Sequence, residues 1–335
     1  MSNKYAFLIL IFLFSILAPV AQAQDTKFIF PLACTYTKDC WAVNYVDVDA
    51  SKHAKDFRCN KKSYDGHKGT DFALGSITQM RSGVDVLAAA SGTVLRVRDG
   101  ESDHLKTSEE LDDLKSRKKE CGNGILIDHG NGLQTIYCHL KKDSIVVKPE
   151  QPIKVGEKIA QVGQSGLAEF PHLHFGVIRD DHILDPYTGL SNTKECGTID
   201  TPLWHETLNI TYNPVAIFDG GFRNTAPDFE RIKRGQDNPK TLPIHSAALV
   251  FWIGLYNVEE GDQVTLTITD PNGKLFTERK ETVERTRARQ YYYIGRKIGH
   301  VQLIPGQYKG HVVITRTDAS PSASEEKIFL IEMTQ

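Results

Sequence analysis

Three short stretches carry side chains that can hold a metal ion or move a proton. Residues 64–74 read YDGHKGTDFAL, with three residues between His67 and Asp71. Residues 135–140 read TIYCHL and bring in His139. Residues 170–177 read FPHLHFGV, with His172 and His174 one residue apart. In a strand, positions i and i+2 share a face, so these two imidazoles project together, opposite Leu173, Phe175 and Val177. Alone, such a pair reads first as an ordinary polar strand face. Beside a histidine and a carboxylate it supplies the parts of a zinc site. Catalytic zinc takes three nitrogen or oxygen ligands and keeps one position open. His67, Asp71 and one histidine of the HLH pair would provide them. The chain contains no HExxH, so these ligands belong to strands and loops and not to one helix. Gly66 and Gly69 suit a sharply bent backbone around His67. If residues 135–140 lie beside 170–177, His139 and His172 reach the open position. Zinc lowers the pKa of water and polarises a carbonyl. A histidine can accept the proton released, and another can stabilise an oxyanion or protonate a leaving amine.

Positioning these groups requires rigid strands, and the sequence has them. Residues 28–190 show short apolar runs broken by glycine and asparagine, such as VDVLAAASGTVLRVRD, GILIDHGNGLQTIYCHL and KIAQVGQSG. This texture predicts an antiparallel β domain. One segment interrupts it: HLKTSEELDDLKSRKKE, residues 104–120, is highly charged, with Thr107 or Ser108 as cap, acids early and bases late. It predicts a solvated helical insertion. Residues 200–245 read as irregular, with 224–243 as an exposed loop. Beyond them, QVTLTITDPNGKLFTER, SAALVFWIGL, GQYKGHVVITR and EKIFLIEM predict an Ig-like β-sandwich of roughly 100–130 residues.

The first residues join Lys4, an apolar run from Ala6 to Val20, and Ala21-Gln22-Ala23, the pattern of a cleaved secretory signal. The domain reading is therefore a signal peptide at 1–23, a first domain at 24–200 and a β-sandwich at 201–335. Export gives the six cysteines meaning, since an even count in an oxidising compartment predicts disulfides. Cys34 and Cys40 can close a short loop, and Cys121 and Cys138 flank an apparent hairpin that turns at Gly130-Asn131-Gly132. No CxxC spacing supports a zinc–thiolate cluster. A formal charge of -2 with no basic run excludes a nucleic-acid footprint, and no span crosses a membrane after signal cleavage.

The three motifs, in this order, resemble the M23 (lysostaphin/LytM-type) zinc metallopeptidases, whose pattern is HxxxD, a YxHL-like segment, then HxH. FIFPL, VLAAASGTV, GNGILIDHGNGLQTIYCHL, VGEKIAQVGQSG and PHLHFGV extend the resemblance over residues 28–190. It implies a deeply grooved antiparallel β core and one zinc ion per chain. It implies His67, Asp71 and His174 as metal ligands, with His139 and His172 as the catalytic histidines. It also implies hydrolysis of amide bonds in peptidoglycan cross-links or stem peptides; with no anchor and no visible wall-binding repeat, the expected location is the periplasm, with secretion second. The chain departs from the pattern in FRCNKKSYDG before His67, in a longer loop at 75–85 and in the charged insertion at 99–120. All three fall where groove walls belong. The alternatives are a catalytically silent activator of other wall hydrolases and an exported peptidase acting on proteins. The partner of the C-terminal domain is not legible.

Overall fold

A computed structural model describes residues 26–335 except 209, 214, 237–238, 300–302 and 318–322. The signal peptide read over 1–23 lies outside the described residues. The architecture is mostly antiparallel β. In the first domain the elements are β1 (Cys40–Asn44), β2 (Thr70–Leu74), α1 (Ile77–Ser82), β3 (Asp85–Leu87), β4 (Gly92–Arg98), α2 (Ser108–Ser116), β5 (Asn123–Asp128), β6 (Leu133–Leu140), β7 (Pro152–Ile153), β8 (Lys158–Gln161), β9 (His172–Arg179) and β10 (His182–Leu184). An eight-stranded sheet runs β1-β2-β9-β6-β5-β4-β7, with β10 paired to β9; β3 and β8 form a separate pair.

Alternation along β9 works as the sequence implies. Leu173, Phe175 and Val177 are fully buried in the first core beside Phe72 and Tyr137. His172 and His174 therefore face away from that core, into a groove. The Gly130-Asn131-Gly132 turn joins β5 to β6, and three disulfides staple the domain: Cys34–Cys40, Cys121–Cys138 and Cys59–Cys196. The insertion is helical over Ser108–Ser116. Thr107 caps it, accepting from the Glu110 N–H while Glu110 reaches back to the Thr107 N–H, a reciprocal box that satisfies two free donors. The first core also takes in Leu203 and Trp204, so the chain still packs on this domain past residue 200.

The C-terminal elements are β11 (Ala216–Arg223), α3 (Phe229–Lys233), β12 (Thr241–Pro243), β13 (Ala248–Val258), β14 (Gln263–Thr269), β15 (Leu275–Thr282), β16 (Arg287–Lys297), β17 (Gly306–Arg316) and β18 (Ala323–Thr334). They form sheets ordered β11-β13-β16 and β12-β18-β17-β14-β15. Phe251, Ile253 and Leu255 of one sheet share a core with Leu266, Val312 and Ile314 of the other. Part of the stretch read as irregular is therefore regular. β11 escapes notice because Gly220 and Gly221 weaken its strand pattern. Packing demands the first of these, since a Cβ on Gly220 would stand 2.7 Å from the Phe329 ring. α3 is only five residues, started by the Asp228 carboxylate accepting from the Glu230 and Arg231 N–H groups. Among the described residues no helix is long and apolar enough to cross a membrane.

A third apolar cluster joins the domains: Trp41, Val43, Ala73 and Phe170 from the first, Ala216, Phe218 and Tyr256 from the second. Tyr256 Oη donates to the Leu74 carbonyl at 2.6 Å, and Asn257 Nδ2 to the Ala42 carbonyl at 2.9 Å. The Arg289 guanidinium lies over the Phe170 and Phe218 rings at 5.7 and 5.6 Å. Tyr256 Oη and Asn257 Nδ2 are thus paired across this junction, whereas Trp41 Nε1 and Asn257 Oδ1 are buried with no hydrogen-bond partner among the described residues.

Candidate active site

Three neighbouring strands bring the predicted residues together. Asp71 on β2 is directly opposite His174 on β9, and cross-strand partners share a face. His172, two residues earlier, looks the same way. On the other side of β9, Cys138 of β6 is opposite His174. Strict alternation would turn the next residue, His139, toward the core with Tyr137. It does not turn there. Asn123 pairs with Leu140 and Ile125 with Tyr137, which leaves Cys138 and His139 together against Gly124. This is a β-bulge, and His139 takes the left-handed conformation, φ 60°. The bulge re-aims His139 into the groove, where its ring centroid lies 4.5 Å from that of His172. Such strain in a non-glycine residue requires restraint from its surroundings. The His139 N–H donates to the Cys121 carbonyl at 2.8 Å, and its carbonyl accepts from the Gly163 N–H at 3.0 Å. Gly124 has no room for a side chain, since a Cβ would come within 2.7 Å of Cys121 Sγ.

His67, Asp71 and His174 form a tight triangle. His67 Nε2 is 3.0 Å from Asp71 Oδ1 and 3.1 Å from His174 Nδ1, and His174 Nδ1 is 2.9 Å from Asp71 Oδ1. His67 Nδ1 lies 2.7 Å from the Tyr45 carbonyl oxygen. A carbonyl only accepts, so Nδ1 carries the proton, and a neutral His67 turns the Nε2 lone pair into the triangle. One proton inside the triangle can serve one contact; a single cation satisfies all three donor atoms at once. Two imidazole nitrogens and a carboxylate oxygen are a donor set that suits zinc. These three residues can therefore hold a metal ion. Asp71 Oδ2 is held by the Asn44 amide at 2.9 Å, which orients the carboxylate.

Burial is the largest single influence on the charges of His67 and Asp71 and opposes both. Their mutual attraction and hydrogen bonding outweigh it, so Asp71 is held well below the usual carboxylate range and His67 is raised. Burial lowers His174, against the pull of Asp71. His139 is pushed well below the ordinary imidazole range, first by burial and then by the neighbouring His172 and His174. Its Nδ1 donates to the Ser165 carbonyl at 2.8 Å, and His172 Nδ1 donates to the Phe170 carbonyl at 2.8 Å. Each neutral ring therefore presents an Nε2 lone pair. His172 Nε2 lies 3.7 Å from Asp71 Oδ1.

All five residues singled out in the sequence meet at one place. Asn44, Ser165 and Tyr64 are neighbours that sequence reading missed. The ring of Tyr64 lies tilted against that of His67 with centroids 4.3 Å apart, and Tyr64 stands 52% exposed at the lip of the groove. Asn44 and Ser165 depend on strand register and loop return, for which the sequence has no local signal.

The model of peptidase family M23 matches residues 65–186, within the first domain. Among curated relatives, the peptidoglycan DD-endopeptidase ShyB of Vibrio cholerae is 34% identical over 112 residues, covering 33% of this chain and 20% of the relative. The DD-carboxypeptidase/endopeptidase Mpg of Neisseria meningitidis serogroup B is 33% identical over 122 residues, 36% of this chain and 25% of the relative. An uncharacterized metalloprotease of Haemophilus influenzae is 33% identical over 122 residues, 36% and 20% respectively. The chain thus matches about a quarter or less of the length of these relatives.

Proposed function

We propose that the protein is a zinc-dependent endopeptidase that hydrolyses amide bonds in the peptide part of peptidoglycan. The observation that carries this reading is the convergence of His67, Asp71 and His174 donor atoms within about 3 Å of one another, with two further histidines presenting free Nε2 atoms beside them. His67, Asp71 and His174 are the proposed ligands. A bound zinc ion would polarise the scissile carbonyl and make water a stronger acid.

The remaining chemistry belongs to the chain. His139 is held neutral by its surroundings and by its bond to Ser165, so its Nε2 is ready to take the proton of the attacking water. The ring centroids of His139 and His172 stand 4.5 Å apart, so both Nε2 atoms can reach the same reacting group. The imidazolium formed on water attack can steady the developing oxyanion and then return the proton to the leaving amine. The Tyr45, Ser165 and Phe170 carbonyls fix ring orientation before substrate arrives. Three disulfides accord with an exported protein.

The test is digestion of isolated peptidoglycan with purified mature protein, with mass spectrometry of the released ends and metal analysis of the same sample. New amine termini together with stoichiometric zinc are expected. Zinc-loaded protein that releases no peptide ends would overturn the reading.

A further inference from the structure

The groove does not stop at the five residues. On one side lies a pocket of about 290 Å³ that includes His67, His139 and His174. On the other lies a cleft of about 490 Å³ that includes Asp71 and His172 and continues between the domains. Tyr64 and Leu167 stand between the two and line both. The far wall of the cleft is the C-terminal domain: Asn257, Val258 and Glu259 at the end of β13, and Thr286, Arg287 and Ala288 at the start of β16. Leu105, Glu169 and Phe170 are shared with a further cavity of about 300 Å³, which α3 helps to enclose.

Charge in this interdomain channel differs from that of the whole chain. Eight Lys or Arg and five Asp or Glu line the two cavities, in a protein of formal charge -2. Most of the acids are engaged. Asp71 belongs to the histidine triangle. Asp103 accepts the Lys142 and Gln164 N–H groups at 2.8 Å each. Glu230 pairs with Lys233 at 2.7 Å, and Glu259 with Arg316 and Lys62. Glu169 alone makes no hydrogen bond or ion pair among the described residues. Against it stand Lys61, Arg81, Arg234 and Arg287, whose side chains have no ion-pair partner among the described residues. Arg234 and Arg287 come from the C-terminal domain, Lys61 and Arg81 from the first. A cation with no internal partner, in a cleft that leads to a peptide-cutting centre, is placed to meet a carboxylate from outside.

We propose that the interdomain cleft seats the arm of the substrate on one side of the cut bond, and that it selects peptides carrying free carboxylates, with Arg287 as the specificity-determining residue. The C-terminal domain is then part of the substrate site and not a remote accessory. The identity of the cut bond rests on the peptidase reading; the binding preference does not.

The test uses the full mature chain loaded with zinc and two soluble stem tetrapeptides, identical except that one has free carboxylates and the other is amidated. Affinities are measured by calorimetry for the wild type, Arg287→Ala and Arg287→Lys. We expect the free form to bind about 10-fold tighter or more, as charge-assisted contacts to Arg allow. Arg287→Ala should remove most of that ratio while leaving the amidated peptide within about twofold, and Arg287→Lys should restore part of it. Equal binding of the two peptides by the wild type, or a ratio untouched in Arg287→Ala and in an Arg81→Ala/Arg234→Ala variant, overturns the proposal. Inorganic polyphosphate competing as well as the free peptide overturns it too, by marking a general polyanion channel. Selective binding without cleavage of peptidoglycan would instead sink the peptidase reading and leave this one standing.

Discussion

Ser165 holds His139 from behind: its carbonyl oxygen accepts the His139 Nδ1–H at 2.8 Å, a bond between two buried residues. The Ser165 side chain fixes that carbonyl in turn. Its Oγ accepts the Asn123 N–H at 3.0 Å and donates to the Leu140 carbonyl at 2.7 Å, closing a loop around the bulge. Asn123 Nδ2 reaches the same Leu140 carbonyl at 3.0 Å.

Ser165→Ala removes both Oγ contacts and leaves the buried Asn123 N–H unsatisfied. The expected loss is about 1–3 kcal/mol of stability. Turnover should fall while metal content stays at wild-type level, because no proposed ligand is touched. Thermal unfolding, metal analysis and kcat together check this. Unchanged kcat would show that backbone contacts alone hold His139.

The triangle and the two outer histidines should separate on mutation. His174→Ala and His67→Ala each delete a donor atom and should lose stoichiometric zinc. His172→Ala and His139→Ala should keep zinc and lose turnover by about 10²–10⁴-fold, the usual worth of a positioned acid or base. Stripping the metal should also lower Tm, since three donor atoms held close together lose the cation that binds only the folded state, and added Zn²⁺ should restore it. Metal retained in His174→Ala but lost in His172→Ala would reverse the roles within the HLH pair.

Cys138 precedes the bulged His139, and its disulfide to Cys121 spans 17 residues. Cys121 also accepts the His139 N–H through its carbonyl. The bond therefore ties both sides of a strained residue. A Cys121→Ala/Cys138→Ala variant should lose about 3 kcal/mol by the chain-entropy model for a loop of this size. Its kcat should fall further than in a Cys34→Ala/Cys40→Ala variant, whose loop lies away from His139. Equal kcat in the two variants would remove any positioning role for the bond.

Much of this site was legible because its determinants are local. HLH alternation needs only the two-residue period of a strand, and Leu173, Phe175 and Val177 confirm it by their complete burial. The Gly130-Asn131-Gly132 turn and the Thr107 cap are equally local in origin. His139 shows where such reading stops. Alternation from Tyr137 would send it into the core, and only the extra residue opposite Gly124 turns it outward. Asn44 meets Asp71 through the register of β1 on β2, and the interdomain cleft depends on Tyr256 and Asn257 docking on Leu74 and Ala42. Those are long-range pairings with no periodic trace in the chain. β11 was missed because Gly220 answers to the Phe329 ring and not to strand propensity.

Asp185, buried just past β10, should give stability a pH dependence of unusual sign. Its Oδ1 accepts the Tyr187 and Thr188 N–H groups at 2.8 and 3.1 Å, while Oδ2 is buried with no hydrogen-bond partner among the described residues. Burial, only partly offset by those N–H groups, raises the carboxyl from 3.8 to about 7. Between these values the folded protein keeps a proton that the unfolded chain has released. This contribution is therefore fully present below pH 3.8 and is lost as pH rises toward about 7, with a slope of up to about 1.4 kcal/mol per pH unit. Asp185→Asn keeps an acceptor for the same two N–H groups and does not titrate. The Tm of the Asn variant relative to wild type should therefore climb as pH rises through this window. Parallel Tm profiles for the two proteins would show that the folded protein carries Asp185 ionised throughout.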